Sequence, residues 1–136
     1  MAAAQTGRQG PLVGMRVIEL AHIMAGPVCG LMLADMGAEV IKVEKLEGDD
    51  TRRTVPPALD GESAAYMMMN RGKRGLSLDL KAPEGISVLR RLLGSADALI
   101  ENYRAGTMER LGIGYETLRK EFPALVYCSL SGFGRT

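Results

Sequence analysis

The amino-acid sequence predicts an α/β fold in which helices flank an open parallel sheet. Short β-branched runs alternate with helical segments, and a strand, a helix and a second strand follow one another within residues 15–44. Parallel neighbours need such a crossover connection, and its right-handed form is strongly favoured. With 46% hydrophobic residues, a chain of 136 residues can build a core of its own.

The first strand–helix–strand unit has well-marked boundaries. Strands are predicted over Met15–Leu20 and Glu39–Glu44, because both runs are short and rich in β-branched residues. A helix is predicted between them over Ala25–Met36, since Pro27 suits its first turn and Gly37 suits the position after its end. The link from this helix to the second strand is short, as in other α/β units.

The remaining elements follow a long polar loop, Lys45–Gly61. This loop is rich in Gly, Asp and Pro, and loops of this length are usually functional or mobile. The pattern then predicts helices over Ser63–Asn70 and Pro83–Leu93, strands over Gly75–Leu80, Ala98–Glu101 and Leu125–Ser131, and helical turns over Met108–Leu111 and Tyr115–Glu121.

The end of the pattern lacks an element that a complete sheet needs. The last strand runs into Gly132–Thr136 without a covering helix, whereas inner strands of parallel sheets are covered on both faces. We therefore expect an incomplete, Rossmann-like open parallel sheet over residues 12–136, as the N-terminal part of a larger α/β domain. Residues 1–11 are expected to form a disordered leader.

The charge balance argues against ligands that need a strong global field. There are 17 Lys and Arg against 16 Asp and Glu, a net charge of +1, so neither nucleic acid nor a membrane is an expected partner. No apolar run reaches the roughly 18 residues that span a bilayer, and the start lacks the apolar stretch of a signal peptide. We expect a cytoplasmic protein.

Several catalytic motifs are missing. The segment after the first strand, His22–Pro27, is not G-x-G-x-x-G, so NAD and FAD are not expected ligands. Ser129–Gly134 lacks the G-x-S-x-G of serine hydrolases. Cys29 and Cys128 stand far apart and predict neither a disulfide nor a metal site, so we expect no metal. His22 has no carboxylate at a fixed spacing, and we assign it a structural role.

Cationic and polar side chains recur just after the predicted strands. Lys45 follows the second strand and Lys81 the third, while Asn102 and Tyr103 follow the fourth, with Arg110 a little further on. Ligands of open α/β sheets bind beyond the carboxyl ends of the strands. Each of these residues alone fits a solvated surface, but together they suggest one anionic, nucleotide-like ligand.

Two further segments can each be interpreted as either a ligand contact or an ordinary structural feature. Asn70–Arg74 concentrates three cations in a glycine-containing turn, which suits either phosphate contact or a solvated turn. Tyr66–Met69 suits either a core or the wall of a channel for an acyl chain. The sequence leaves both open.

A series of blocks runs in a fixed order along the chain: Leu12–Leu20, Ala25–Pro27, Leu33–Glu44, Gly48–Arg52, Asn70–Arg74, Leu78–Lys81, Ile100–Arg104, Arg110–Tyr115 and Tyr127–Gly134. Together they resemble the N-terminal part of family III CoA-transferases of the CaiB/BaiF type. That group also includes L-carnitine dehydratase and the α-methylacyl-CoA racemases.

The resemblance implies coenzyme A, as acyl-CoA, and a set of contact residues. The backbone at Ile23 and Ala25 would line the thioester end. The other matched positions would contact the nucleotide and pantetheine parts: Lys45, Leu78, Lys81, Asn102, Tyr103 and Arg110. Met24 departs from the glutamine that some transferases carry, and a thioether cannot orient a small carboxylate as an amide can, which argues against a formyl or oxalyl substrate.

The resemblance also implies a reaction. In the transferases an aspartate attacks the thioester and forms a mixed anhydride, and CoA thiolate and an acceptor acid then exchange through enzyme-bound intermediates. In the racemases a His and an Asp exchange the α-proton. Both sets would lie beyond Thr136, so we expect no catalytic residue within the chain and no activity of the chain alone. The complete protein would be an interlocked homodimer.

Two alternatives to a transferase stay open. The long loop over Gly48–Gly61 resembles the transferase version, and the racemase branch often has a shorter one. An α-methylacyl-CoA racemase is therefore the second interpretation. A catalytically silent CoA-binding or interaction module is the third.

The uncovered last strand predicts marginal stability for the chain alone. Leu125, Val126, Cys128 and Leu130 lack part of their cover. Burying one such side chain is worth roughly 1.5 to 3 kcal/mol, against a domain stability of about 5 to 15 kcal/mol. Light scattering and thermal unfolding at several concentrations should reveal aggregation or a concentration-dependent transition. A monodisperse monomer with a sharp, concentration-independent transition would contradict this.

Overall fold

The structure, a computed structural model, describes residue 7, residues 9–54 and residues 56–134. Its strands are β1 (Arg16–Leu20), β2 (Glu39–Glu44), β3 (Ala58–Leu59), β4 (Glu62–Ser63), β5 (Arg74–Ser77), β6 (Ala98–Glu101) and β7 (Val126–Ser129). Its helices are α1 (Ala25–Asp35), α2 (Ala64–Asn70), α3 (Pro83–Leu93), α4 (Thr107–Arg110) and α5 (Tyr115–Glu121).

Five strands form one parallel sheet in the order β5-β2-β1-β6-β7. Its two faces carry separate cores. Ile18 of β1 packs in a cluster with Leu89 of α3 and Leu118 of α5. Val17, the preceding residue, belongs to a second cluster with Leu33 of α1. Because successive side chains of a strand point to opposite faces, helices cover both sides of the sheet. The predicted α/β fold is confirmed.

Two strands end earlier than the sequence pattern predicts. β5 ends at Ser77, which pairs with Glu44, the last residue of β2. β7 ends at Ser129, which pairs with Glu101, the last residue of β6. A parallel strand ends where the ladder with its neighbour ends, and the propensity of its own residues does not reveal that point.

The long polar loop contains structure that the sequence analysis did not predict. A 3-10 helix spans Asp50–Arg53, and β3 and β4 pair antiparallel directly before α2. The turn between these strands passes through Asp60 and Gly61, which both have positive φ. Asp and Gly are residue types that tolerate this conformation. Most of the loop therefore has a defined course.

The predicted leader falls largely outside the described residues, which exclude residues 1–6 and 8, and its disorder stays a prediction. Nearer the sheet, the Leu12 N–H donates to the Met36 carbonyl over 3.0 Å, so the described chain starts against the end of α1. Within the described ranges, no helix is long and apolar enough to cross a membrane.

Helix α1 approaches β1 and the residue after it closely because two glycines face them. A Cβ at Gly26 would lie 2.1 Å from the Ala21 side chain, and a Cβ at Gly30 would lie 1.8 Å from Glu19 Oε2. Both distances are far below van der Waals contact. A larger residue at either position would therefore force the helix away from the sheet.

Replacing Gly30 by Ala should lower the free energy of unfolding by more than about 2 kcal/mol, because the added methyl group would displace a buried carboxylate. Gly132→Ala is the control, since a Cβ there meets nothing within 4 Å. Its effect should stay within about 0.5 kcal/mol. Urea unfolding followed by circular dichroism measures both, and equal stabilities would contradict the close packing.

Candidate functional site

A cavity lies at the carboxyl ends of the strands of the parallel sheet. Its volume is about 340 Å³, and its walls come from the segments that follow β2, β5 and β6. Lys45, Leu78, Lys81 and Tyr103 line it. This edge of an open parallel sheet is where ligands usually bind. The fold thus brings four residues from three separate segments to one space.

A larger groove of about 730 Å³ borders the cavity along α3. Lys81 lines both spaces, and Arg90, Arg91 and Arg110 line the groove. Arg90 pairs with Glu121 at 3.3 Å. In the described part of the chain, the side chains of Lys81 and Arg91 have neither a hydrogen-bond nor an ion-pair partner. The groove therefore presents uncompensated positive charge to an anion.

A smaller pocket of about 160 Å³ adjoins the cavity, because Lys45 and Tyr103 line both. His22, the only histidine of the sequence, also lines this pocket, and its ring centroid lies 5.4 Å from that of Tyr103. Lys45 pairs with the exposed Asp50 at 2.8 Å. Burial, reinforced by nearby carboxylates, raises the pKa of Tyr103, so its phenol stays protonated at neutral pH.

The loop between β1 and α1 is held by side chains from elsewhere in the fold. The Asn102 amide accepts a hydrogen bond from the His22 N–H over 2.9 Å and donates one to the His22 carbonyl over 2.8 Å. Asp49 Oδ1 accepts a hydrogen bond from the Ile23 N–H over 3.2 Å. Ile23 has a φ of 67°, and a β-branched residue in that left-handed region costs about 1 to 3 kcal/mol.

The residues predicted to contact CoA fall into two groups. Ile23, Ala25 and Asn102 lie at the β1–α1 loop, where backbone groups of His22 occupy the Asn102 amide. The other group lines the cavity or the groove: Lys45, Leu78, Lys81, Tyr103 and Arg110. The contact of both groups with CoA stays a prediction.

Behind this loop lies a network of buried charges that the sequence analysis missed. The Lys42 ammonium lies 3.2 Å from Glu19 Oε1, 2.8 Å from Asp49 Oδ2 and 2.8 Å from the Ala21 carbonyl oxygen. Lys73 Nζ lies 2.8 Å from the other Glu19 oxygen. None of the four charged side chains is more than 2% exposed. Two positive and two negative charges therefore balance inside the fold.

The sequence does contain a signal for this network. Glu19 and Lys42 are charged residues in the middle of predicted inner strands, which a parallel sheet buries on both faces. A lone buried charge costs several kcal/mol, so each must have a partner. The register of β1 and β2 pairs these two residues. Asp49 and Lys73 lie outside the strands, and spacing alone does not identify them.

Glu44, the last residue of β2, fixes the loop that follows. Its carboxylate accepts hydrogen bonds from the Asp49 N–H over 2.7 Å, from two Arg52 nitrogens over 2.8 Å and from the Tyr66 hydroxyl over 2.6 Å. Burial alone would raise the pKa of Glu44, but the bonds from Arg52 and Tyr66 lower it to about 2. Burial and the Glu44 carboxylate both raise the pKa of Tyr66.

Asp49 belongs both to the network of buried charges and to the hydrogen bonds around Glu44, and both of its oxygens are engaged. Its Oδ1 also accepts hydrogen bonds from the Thr51 N–H over 2.9 Å and the Thr51 hydroxyl over 2.7 Å. Burial alone would raise the pKa of Asp49, but Lys42 and Thr51 lower it to about 2. Burial lowers the pKa of Lys73, while Glu19 opposes that change. Asp49 is therefore a fixed anion at neutral pH and a weak nucleophile.

Known proteins are similar in sequence to this chain over all the strands of the sheet. A family model described as CoA-transferase family III matches residues 12–136. Succinate–glutarate CoA-transferase of Agrobacterium fabrum is 53% identical over 136 residues, which cover 95% of this chain and 34% of that protein. Alpha-methylacyl-CoA racemase of Mus musculus is 46% identical over 125 residues, which cover 92% of this chain and 29% of the racemase.

Solved structures extend the likeness to three dimensions. A crystal structure of a CAIB/BAIF family protein from Brucella suis matches with a TM-score of 0.89 and 46% identity, covering 95% of this chain and 35% of that one. The chain thus spans about a third of the length of the relatives that it matches.

The lowered pKa values of Glu44 and Asp49 predict how stability depends on pH. Both folded values of about 2 lie below the ordinary 4.5 and 3.8, so the stabilisation is complete above about pH 4.5 and disappears as the pH falls towards 2. The shifts correspond to about 2 to 3 kcal/mol for each residue. Urea unfolding between pH 6 and about 2.5 measures this loss.

Glu44→Gln should flatten that pH dependence, because the amide does not titrate. Glu47→Gln, which removes an exposed carboxylate from the same loop, should leave the wild-type slope intact. Identical slopes for the two variants would show that Glu44 does not couple folding to protons.

Proposed function

Because this chain belongs to CoA-transferase family III, we propose that it forms the CoA-binding part of an acyl-CoA:carboxylate CoA-transferase. The cavity that opens into a cationic groove at the carboxyl ends of β2, β5 and β6 is the observation that carries this proposal. CoA combines a long, neutral pantetheine arm with a highly charged phosphorylated nucleotide. A narrow cavity beside unpaired cations matches both parts.

The proposed binding mode follows the two groups of residues at the site. Leu78 and Tyr103 give the cavity apolar walls for the pantetheine arm, and Lys81 stands where the cavity meets the groove. The proposed contacts are Ile23, Ala25, Lys45, Leu78, Lys81, Asn102, Tyr103 and Arg110. The thioester end would then point towards the β1–α1 loop.

In the proposed reaction, an aspartate oxygen attacks the thioester carbonyl, the C–S bond breaks, and CoA thiolate leaves an aspartyl mixed anhydride. The thiolate then attacks the aspartyl carbonyl of the anhydride, which releases the donor acid and leaves an aspartyl–CoA thioester. The acceptor carboxylate displaces the thiolate from this thioester, and the thiolate finally attacks the acceptor carbonyl of the new anhydride, which gives the acceptor's CoA thioester and restores the aspartate.

Five of the six aspartates of this chain are already engaged: Asp49 with Lys42, Asp35 with Arg71, Asp50 with Lys45, Asp79 with the Lys81 N–H, and Asp97 with the Arg16 N–H at the other end of β1. The sixth, Asp60, lies in the turn between β3 and β4 and lines neither the cavity nor the smaller pocket. We therefore assign the nucleophile to residues beyond Thr136, and expect these 136 residues to bind CoA without transferring it.

A short dicarboxylic acid is the proposed substrate class. The Agrobacterium fabrum relative is a succinate–glutarate CoA-transferase, and a relative from Haloarcula hispanica, 46% identical over 129 residues, is a succinyl-CoA:mesaconate CoA-transferase. The exposed thioether of Met24 in the β1–α1 loop is compatible with a longer acyl group than formyl.

A racemase is the second candidate, because the Mus musculus racemase is 46% identical to this chain. The two activities differ in what they do to the α-carbon. Incubating the complete protein with 2-methylacyl-CoA in deuterium oxide would exchange the α-proton only if it is a racemase. CoA transfer to glutarate without exchange would support the transferase.

The proposal includes a homodimer of the complete protein, located in the cytoplasm. Helix α1 and the residue directly after it carry an exposed apolar stripe of Val28, Met32 and Met36, spaced four residues apart along one face. Such a stripe favours contact with another apolar surface. Met32→Glu should therefore lower the self-association of the complete protein, as measured by sedimentation.

The proposed location in the cytoplasm is a separate point. Fluorescence microscopy of the tagged protein would test it.

Neutralising Lys81 or Arg110 should weaken CoA binding. Both residues are exposed, so each variant, Lys81→Ala or Arg110→Ala, should lose roughly five-fold in affinity, and the remaining binding should depend less on salt. Titration calorimetry with CoA at two salt concentrations measures this. Arg119→Gln removes an exposed cation outside the cavity and the groove, and should bind like the wild type. Unchanged affinity in both test variants would exclude these residues from the site.

A further inference from the structure

Three consecutive residues of the β1–α1 loop have their peptide groups bound by side chains from other parts of the fold. Lys42 donates to the Ala21 carbonyl, Asn102 binds both the N–H and the carbonyl of His22, and Asp49 accepts from the Ile23 N–H. We call Lys42, Asn102 and Asp49 the loop clamp.

The clamp holds a conformation that the sequence disfavours. Ile23 adopts a φ of 67°, a region that glycine enters freely and β-branched residues avoid. The residue is 49% exposed, so little burial compensates for the strain. Strained backbone persists only where the surroundings over-determine it, and it concentrates at functional sites. The strain therefore points to a role for the loop beyond packing.

Asp49 is the clamp member best suited to hold Ile23. Its Oδ1 receives three donors, the Ile23 N–H and the N–H and hydroxyl of Thr51, while its Oδ2 lies 2.8 Å from Lys42 Nζ. With both oxygens engaged and the residue 3% exposed, the carboxylate cannot turn away. It transmits the position of β2 and of the 3-10 helix directly to Ile23.

We propose that Asp49 is a positioning residue for the acyl end of the substrate, because it holds the left-handed Ile23 and so the backbone of residues 23–25 against the thioester. This inference rests on the proposed function, which directs the thioester towards that loop. Asp49 itself does not touch the substrate. Its loss should therefore affect the acyl thioester more than the CoA moiety, whose phosphates are assigned to Lys81 and Arg110.

The test compares the binding of two probes, CoA and succinyl-CoA, to the 136-residue chain by titration calorimetry. Asp49→Asn should weaken succinyl-CoA about ten-fold and CoA less than about two-fold. Asp60→Asn, the same chemical change at an exposed turn residue, is the control and should alter neither affinity. Lys81→Ala should weaken both probes equally, because both carry the same phosphates.

The double variant Asp49→Asn with Ile23→Gly distinguishes a positioning role from a merely structural one, because only a positioning role predicts that affinity for succinyl-CoA recovers. Glycine reaches the left-handed region without strain, so the double variant should recover most of the lost affinity for succinyl-CoA. Circular dichroism checks that each variant is folded. If Asp49→Asn does not fold, Thr51→Val carries the test, since it removes only one hydrogen bond to Asp49 and should give a loss of about three-fold for succinyl-CoA alone.

The outcomes separate this inference from the proposed function. Equal weakening of both probes by Asp49→Asn or Thr51→Val, no weakening at all, or no recovery with glycine at position 23 would each overturn the positioning role while leaving the CoA site in place. Failure of the wild-type chain to bind either probe, while circular dichroism shows that it is folded, would overturn the proposed function, and the positioning role with it.

Discussion

The rest of the structure depends on the ammonium group of Lys42, which lies buried between the carboxylates of Glu19 and Asp49. A buried ion without partners costs several kcal/mol, and removing one partner of such a pair typically costs about 3 to 5 kcal/mol. These groups are therefore stable only when β1, β2 and the loop after β2 are correctly assembled. The network therefore couples the packing of β1, β2 and the loop after β2 to one another.

Lys73 extends the same network to the helices. Its ammonium binds the second Glu19 oxygen, the Pro27 carbonyl of α1 and the Asn70 side chain at the end of α2. Gly30 is required at this point because the Glu19 carboxylate fills the space that its side chain would occupy. Charge satisfaction and close packing thus impose the same geometry, and together they fix α1 against the sheet.

The network reaches the smaller pocket through Asp49, and this proximity relates stability to the candidate site. Glu44 and Asp49 order the loop that carries Lys45, which lines both the cavity and the smaller pocket, and Asn102 orders the loop that places His22 in that pocket. Groups held in place before a ligand arrives lose little entropy on binding. The loops beside the site are therefore fixed before the ligand binds. The side chains of the unpaired cations, rather than the backbone, then change conformation to contact the ligand.

The sequence by itself determined the order and type of the main elements, because periodicity, Pro27 at a helix start and Gly37 after a helix end are local signals. It also identified the family and the segments that follow the strands, because ligands of parallel sheets bind at that edge. It did not predict the hairpin of β3 and β4, whose strands are too short to show a period.

Only the tertiary structure decided the partners of the buried charges, the left-handed backbone at Ile23 and the use of the Asn102 amide. Asn102 and His22 are 80 residues apart along the chain, and Lys42 meets Glu19 through strand register rather than through sequence spacing. Such contacts form between elements already packed together. No local propensity encodes them, because the attraction that offsets the cost of burying each charge exists only when its partners from other elements are in place.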